Sequence, residues 1–209
     1  DVRGQQESLR TAHLTSDVRP LTSVSLLVVP RSFEPQDLVA AAQEGQVTHL
    51  SLTPSYLRML KVAVGREALA RIPLRQLTFG GEAATQPVLD AAKNIWPAAR
   101  ITHVYASTEV GDICSVSDGL EGIPEAKFSG KPYAFTHAGE LSVDGFATGD
   151  FWERRNGRYH FLGREQEMIN VGGAKVSPIV VETAALQVRG VTGARAYGVR
   201  SPLLGQMVA

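Results

Sequence analysis

The sequence predicts an α/β fold: a parallel α/β layer, then a small β-barrel-like region of the same large domain, then the start of a small α+β C-terminal subdomain. Strand-like and helix-like segments alternate up to about Tyr105, which is typical of a parallel layer. Short strand-like pieces separated by Gly and Pro follow up to about Phe161, which indicates an antiparallel or barrel-like region. The 209 residues are 44% hydrophobic, enough for a substantial core.

The parallel layer is predicted from hydrophobic periodicity and from residues that start and stop helices. The β-branched run VSLLVV, which ends at Pro30, is typical of a buried strand. Thr53-Pro54 is typical of an N-cap with proline at the first helical position, and Gly45 ends the preceding helix. The predicted elements are strands at 24–29, 47–52, 74–79 and 101–105, and helices at 35–43, from 55 through 64, and at 86–94.

The second half of the chain is predicted to contain shorter elements. Strand-like pieces lie at 127–128, 139–143 and 158–162, followed by a strand at 168–171, a Gly-Gly turn, a helix at 178–187 and a strand at 193–199. The arginines at 154, 155 and 158 are expected at a solvated hairpin tip. The chain begins at Asp1 and ends inside a predicted strand at Ala209, so we expect it to be part of a longer protein.

Charge and cysteine content exclude several classes of function. Lys plus Arg and Asp plus Glu both number 21, so the net charge is zero and a general nucleic-acid binder is disfavoured. One cysteine, Cys114, excludes a disulfide framework and a cysteine-based zinc site, and no two histidines have metal-ligand spacing. No apolar run approaches the ~20 residues of a membrane span, and no signal peptide pattern is present. We expect no nucleic-acid or membrane partner and a cytoplasmic location.

The first candidate binding loop is the segment 79–83 (FGGEA), which follows a predicted strand and precedes a helix. Ligands of open α/β sheets bind at the carboxyl ends of the strands. Two glycines allow a ligand to approach the backbone closely. The alternative is a plain turn between a strand and a helix.

A second candidate loop, 105–109 (YASTE), again follows a predicted strand. It combines an aromatic ring, two hydroxyls and a carboxylate, which suit phosphate oxygens and Mg²⁺. The alternative is a Ser/Thr helix cap with an acidic first turn. His103, just before this loop, faces either a substrate pocket or the core.

A third pattern is 148–150 (TGD), followed thirteen residues after Asp150 by Gly163 and then Arg164. A carboxylate suits a vicinal diol such as that of ribose, and an arginine suits phosphate or ribose oxygens. The alternative is a turn with a surface arginine.

Taken in order, these segments resemble the adenylate-forming superfamily of acyl-CoA synthetases, adenylation domains of nonribosomal peptide synthetases, and firefly luciferase. The family shows G-G-E, then Y-G-x-T-E, then T-G-D, then G-R-x-D-x-x-I-x-x-x-G. In this chain the matching segments are 80–82 (GGE), 105–109 (YASTE), 148–150 (TGD) and 163–173 (GREQEMINVGG). The strand 47–52 and the following Thr53-Pro54 also resemble the family strand that enters the acyl pocket.

The resemblance implies a nucleotide site. Tyr105 would stack on adenine, and Asp150 would bind the ribose hydroxyls with help from Arg164. The adenine and acyl side would be lined by the glycine loop, that is Gly80, Gly81, Glu82 and Ala83.

The resemblance also implies a catalytic side, a hinge and a thiol side. Thr108 would contact the α-phosphate, and Glu109 would hold Mg²⁺ between the phosphates of ATP. Catalysis in such a site consists of positioning and electrostatic stabilisation. Gln166 occupies the hinge position, which implies a large domain at 1–163 and a C-terminal subdomain at 164–209. The loop of Gly172 and Gly173 would lie beside the thiol of CoA or of phosphopantetheine.

Two functional hypotheses follow from the resemblance. In the first, the chain is part of an ATP-dependent ligase that activates a small carboxylic acid as an adenylate and transfers it to CoA or to an acyl or peptidyl carrier protein. In the second, it is a truncated, non-catalytic module that docks a carrier protein or a synthetase. The family's phosphate loop and catalytic lysine are not found in these residues, Ala106 replaces the motif glycine, and Gln166 replaces a charged hinge residue.

Overall fold

The computed structural model of the chain describes residues 26–107, 111–130 and 132–209. The first sheet has the order β1-β2-β3-β4, in which β1, β2 and β3 are parallel and β4 runs antiparallel to β3. Its strands are β1 (His49–Leu52), β2 (Gln76–Phe79), β3 (Arg100–Ser107) and β4 (Gly111–Val116). The helices of this layer are α1 (Pro35–Glu44), α2 (Pro54–Ala70) and α3 (Gln86–Ile95).

Local chemistry starts the helices where the sequence predicted. The Thr53 hydroxyl accepts a hydrogen bond from the Tyr56 backbone N–H (3.2 Å), so Thr53 is the N-cap of α2. Each of the three helices carries proline in its first turn. The core between the helices and the sheet contains fully buried side chains, among them Leu57, Leu60, Leu69, Leu77 and Phe79.

The strand predicted at 24–29 is not found. Residues 24 and 25 lie outside the described residues, and 26–30 form no regular element. Leu26, Leu27 and Val29 are exposed, whereas a buried strand was expected. Val28 packs instead beside Gly45, at the end of α1. A β-branched run forms a strand only where another strand offers backbone partners, and the run alone does not reveal whether one does.

The second sheet is a curled, antiparallel sheet of five strands in the order β5-β9-β8-β7-β6. Its strands are β5 (Ile123–Pro124), β6 (Tyr133–Phe135), β7 (Glu140–Val143), β8 (Phe146–Arg155) and β9 (Arg158–Arg164). Asn156 and Gly157, both with positive φ, form the turn between β8 and β9. A second core lies between this sheet and β4 and contains Cys114, Leu141 and Trp152. The parallel layer and the barrel-like region are therefore confirmed.

Residues 127–128 do not form the predicted strand. Glu125–Lys127 form a short 3₁₀ helix, and the N–H of Phe128 closes it on the Glu125 carbonyl (3.0 Å). The Phe128 ring lies in the second core, where it contacts Tyr133, Phe135 and Tyr159 edge-on. An isolated apolar residue after a lysine carries too little periodicity to separate a strand from a single helical turn.

The third sheet is antiparallel, in the order β11-β10-β13-β12, and carries one helix. Its elements are β10 (Ile169–Val171), β11 (Ala174–Val176), α4 (Pro178–Ala185), β12 (Gly198–Ser201) and β13 (Gly205–Val208). The strand predicted at 193–199 is shorter and later, because the Ala196 N–H donates to the Glu182 carboxylate of α4 (3.0 Å) rather than to a strand. Among the described residues no helix is both long and apolar enough to cross a membrane.

Candidate functional site

Three residues that the sequence singled out meet around one buried carboxylate. Asp150 lies on β8 and is 2% exposed. The Tyr105 hydroxyl, from the end of β3, donates to Asp150 Oδ2 at 2.5 Å. Arg164 lies opposite Asp150 in the β8–β9 register, and its Nε is 3.3 Å from Asp150 Oδ1. The structure thus brings the first sheet and the five-stranded sheet together at this carboxylate.

The surroundings of Tyr105 keep its hydroxyl protonated. Burial of the ring, and then its hydrogen bond to the Asp150 carboxylate, raise the pKa of Tyr105 well above its ordinary value. The ring packs edge-on against Trp152, with 4.8 Å between the ring centroids. Tyr105 is therefore a hydrogen-bond donor to Asp150 across the whole physiological pH range.

Hydrogen bonds to Thr148 and Glu140, neither of which was predicted as a site residue, hold the backbone around Asp150. The Thr148 hydroxyl accepts from the Asp150 N–H (3.2 Å) and donates to the Leu141 carbonyl (2.7 Å). The Gly149 N–H donates to the Glu140 carboxylate (3.1 Å). Thr148 belongs to the quoted TGD segment, so the motif contained its signal. Nothing in the sequence around Glu140 predicts its contact with Gly149, because that contact depends on the pairing of β7 with β8.

One oxygen of Asp150 lacks a well-aligned donor. Among the described residues, no group donates a hydrogen bond to the buried Oδ1. Arg164 Nε is at ion-pair distance from this atom but outside hydrogen-bond alignment. A buried carboxylate oxygen in this condition is costly unless a donor reaches it. A ligand hydroxyl is a donor of the right kind.

The glycine loop lies at the same edge of the sheet as Tyr105. It follows β2, which runs parallel to β3 with Phe79 opposite His103. Gly81 has a φ of 77°, in the region that favours glycine. The Gly80 N–H donates to the Leu52 carbonyl of β1 (3.3 Å). The glycine loop after β2 and Tyr105 near the end of β3 thus lie at the carboxyl ends of neighbouring parallel strands, where ligands of open α/β sheets bind, and residues 105–107 belong to β3 rather than to the predicted loop.

Glu82, from the same loop, contacts the start of α2 rather than Asp150. Its carboxylate accepts from the Ser55 N–H (3.0 Å) and from the Ser55 hydroxyl (2.6 Å). A carboxylate is favourable at a helix N-terminus, where backbone N–H groups lack partners. The following residue, Ala83, is half-buried and precedes α3. The described contacts of Glu82 therefore anchor the glycine loop.

The two predicted catalytic residues, Thr108 and Glu109, lie outside the described residues. Their expected roles at the α-phosphate and at Mg²⁺ stay predictions. Across the part of the chain that is described, no group of three or more His, Cys, Asp or Glu side chains could hold a metal ion.

The predicted hinge and the predicted thiol-side loop lie at the start of the four-stranded sheet and within it. Gln166 is exposed on a short 3₁₀ helix, Glu165–Glu167, between the five-stranded and four-stranded sheets. Gly172 and Gly173 form the turn between β10 and β11. Their N–H groups donate to the Leu204 carbonyl, in the turn between β12 and β13 (2.9 Å), and to the Asn170 side chain of β10 (3.0 Å).

The three arginines expected at a hairpin tip do flank the β8–β9 turn, where Arg154 and Arg155 are exposed, but the Arg158 side chain is largely buried rather than solvated. Its guanidinium donates to the carbonyls of residues 120, 121 and 122 and pairs with Asp118 at 2.8 Å. The Glu121 carboxylate in turn accepts from the Gln86 N–H at the start of α3 (2.9 Å). The segment 118–122 therefore joins α3 to the β8–β9 hairpin. No local pattern could predict this contact, because Arg158 and its partners lie 36–40 residues apart along the chain.

His103 is buried in the structure. Its Nε2 is 3.2 Å from the Leu120 carbonyl, and burial lowers its pKa below the ordinary value. The sequence left open whether His103 faces a substrate pocket or the core. The structure buries it against the segment 118–122.

A family model described as AMP-binding enzyme matches residues 19–139, more than half of the chain. Oxalate–CoA ligase of Arabidopsis thaliana is 31% identical over 102 residues, which cover 47% of this chain and 18% of that protein. A 3,4-dihydroxybenzoate–[aryl-carrier protein] ligase of Bacillus anthracis is 45% identical over 49 residues, 23% of this chain and 12% of that protein.

Solved structures agree on the fold. A variant of E. coli MenE with bound OSB-AMS superposes with a TM-score of 0.60 at 20% identity, covering 82% of this chain and 42% of that one. The chain spans less than half the length of each of these three proteins. The family match and the shared fold lead to one conclusion: the chain belongs to the AMP-binding enzyme family, within the adenylate-forming superfamily.

Proposed function

We propose that this chain is part of an ATP-dependent ligase that activates a small carboxylic acid as an acyl or aminoacyl adenylate. The observation that carries the proposal is the buried Asp150 carboxylate, which Tyr105 and Arg164 reach from two different strands. These residues occupy three of the motif segments by which the chain resembles its superfamily. A buried carboxylate with an under-used oxygen suits a ribose hydroxyl.

The proposed ligand contacts follow from this site. Asp150 receives the ribose hydroxyls, the half-buried Tyr105 ring stacks on adenine, and Arg164 binds ribose or phosphate oxygens. Gly80, Gly81 and Ala83 line the adenine and acyl side, and Glu82 holds that loop through Ser55. Thr108 and Glu109 contact the α-phosphate and Mg²⁺, which would supply charge stabilisation at the phosphates.

The second half-reaction is proposed to form a thioester. The two sequence relatives described above are named for different acceptors, CoA in one and an aryl-carrier protein in the other. We propose that the loop of Gly172 and Gly173 faces the acceptor thiol. Supplying the adenylate-forming protein with CoA or with a phosphopantetheine-loaded carrier protein, and following thioester formation, distinguishes the two acceptors.

The proposed domain boundary lies near Gln166, with 1–163 in the large domain and 164–209 in the C-terminal subdomain. The short helix of Gln166 links the five-stranded sheet to the four-stranded sheet, which supports a boundary there. Limited proteolysis that cuts near Gln166 and leaves both sides intact would support this division. Cleavage elsewhere, with 164–169 protected, would contradict it.

The test is ATP–pyrophosphate exchange by the natural protein that contains this chain, measured against a panel of small carboxylic acids. Exchange with at least one acid is expected, together with a loss of at least about 10²-fold in kcat/KM for ATP in Asp150→Asn. Asp144→Asn is the matched control, because Asp144 is exposed in a turn and asparagine tolerates its positive φ. Absence of exchange with every acid, in a folded protein, would favour the non-catalytic docking module.

A further inference from the structure

The carboxylate proposed to bind ribose is already occupied by a side chain of the protein. Asp150 Oδ2 accepts the Tyr105 hydroxyl at 2.5 Å, the short distance of a charge-assisted hydrogen bond. The residue as a whole is 2% exposed. Each carboxylate oxygen can accept two hydrogen bonds, so the obstacle is access to Asp150 rather than a lack of acceptors. Because Asp150 is buried and Tyr105 and Arg164 cover its two oxygens, a ribose diol cannot reach both of them in this conformation.

The two oxygens of Asp150 are covered by groups of different mobility. Oδ1 faces Arg164 Nε at 3.3 Å, and the Arg164 side chain is 59% exposed. An exposed arginine can move aside without losing packing. Oδ2 faces Tyr105, whose half-buried ring is packed edge-on against Trp152. The hydroxyl of Tyr105 is therefore the firmer of the two obstacles.

We propose that the Tyr105 hydroxyl competes with the ribose diol for Asp150: it satisfies Oδ2 in the nucleotide-free protein and must release it before both ribose hydroxyls bind. The inference rests on the proposed nucleotide-binding function. Leaving a buried carboxylate oxygen unsatisfied destabilises a protein, so the hydrogen bond from Tyr105 stabilises the protein when no nucleotide is bound. The same bond lowers nucleotide affinity, because the binding-competent arrangement is only part of the population.

The test introduces Tyr105→Phe into the natural protein that contains this chain and compares it with the wild-type protein by isothermal titration calorimetry. Phenylalanine keeps the ring that would stack on adenine and removes only the competing hydroxyl. We expect AMP to bind Tyr105→Phe with a Kd about tenfold lower, the effect of one hydrogen bond to a charged group. The Kd for 2′,3′-dideoxy-AMP is expected to stay unchanged, because that nucleotide lacks the diol. Tyr159→Phe is the matched control. Tyr159 stacks on Phe135 within the five-stranded sheet, so removing its hydroxyl should alter neither Kd.

The other outcomes overturn the inference in distinct ways. Equal weakening for both nucleotides would make the Tyr105 hydroxyl a permanent support of Asp150, and equal tightening would make it a steric obstacle unrelated to the diol. An unchanged Kd for AMP would mean no competition. If the wild-type natural protein binds no AMP, the proposed nucleotide-binding function fails first, and the inference with it.

A second measurement serves if Tyr105→Phe does not fold. In wild-type protein labelled with [¹³Cζ]tyrosine, AMP should shift the Tyr105 resonance further than 2′,3′-dideoxy-AMP does, because both nucleotides place adenine against the ring but only AMP displaces the hydroxyl from Asp150. An unmoved Tyr105 resonance with AMP bound would overturn the inference.

Discussion

Arg158 is the side chain whose removal should most destabilise the contact between the β8–β9 hairpin and the segment 118–122. Its guanidinium donates to the Glu121 and Gly122 carbonyls at 2.8 Å each and to the Leu120 carbonyl at 3.2 Å, and it pairs with Asp118 at 2.8 Å. Only 14% of the side chain is exposed. A hydrogen bond from a charged group contributes about 1.5–3 kcal/mol, and water replaces some of these bonds after truncation. We therefore expect Arg158→Ala to lower the free energy of unfolding by about 3 kcal/mol.

Urea denaturation followed by tryptophan fluorescence measures this loss. The matched control is Arg154→Ala on the same hairpin. Arg154 pairs with Glu125 through two hydrogen bonds, but 66% of its side chain is exposed, so its loss should be far smaller. Arg158→Lys should fall between the wild-type protein and Arg158→Ala, because lysine keeps the charge without the planar set of donors. Equal losses in Arg154→Ala and Arg158→Ala would refute the reasoning.

Two further predictions concern stability. Gly139→Ala should cost about 3 kcal/mol, because its Cβ would lie 2.4 Å from the Trp152 carbonyl oxygen at a φ of +86°, whereas Gly145→Ala, at a φ of +82° with open space around it, should cost about 1 kcal/mol; equal losses in thermal unfolding would contradict this. Burial lowers the pKa of His103 in the folded protein, so its stabilising contribution is present above the unfolded pKa of about 6.5 and is lost as the pH falls through the folded value. His103→Asn should therefore lose less unfolding free energy than the wild-type protein between about pH 7 and pH 5, and parallel pH profiles would contradict this.

Local sequence signals were sufficient to predict most of the helices and strands of the first layer. Thr53-Pro54 begins α2 as predicted, because an N-cap is a contact within a few residues. The strands that became β1, β2 and β3 were predicted from short apolar runs between helices. The fold class followed from their alternation, which does not require knowing which strand pairs with which.

Two of the wrong predictions share a physical cause, since each depends on a distant partner, whereas the strand predicted at 127–128 failed for lack of local periodicity. Residues 26–29 are β-branched and apolar, yet they form no strand. Arg158 was predicted to be solvated, but the segment 118–122 covers its side chain. The contact of Glu82 with Ser55 likewise depends on where α2 begins, and the predicted place of Glu82 on the adenine and acyl side stays a prediction. Spacing along the chain contains none of this information.

Tyr105, Asp150 and Arg164 were predicted together from motif resemblance, and the structure places the Tyr105 hydroxyl at hydrogen-bond distance and Arg164 Nε at ion-pair distance from Asp150. Their roles toward a nucleotide stay predictions. That the Tyr105 hydroxyl binds Asp150 directly could not be predicted, because 45 residues separate the two.

The most direct test of the central claim, that the buried Asp150 is the ribose site of a nucleotide-binding enzyme, is a crystal structure of the protein with AMP. The account predicts the ribose hydroxyls on Asp150, adenine against the Tyr105 ring, and the Tyr105 hydroxyl no longer bonded to Oδ2. AMP bound elsewhere, with the Tyr105–Asp150 hydrogen bond intact, would contradict it.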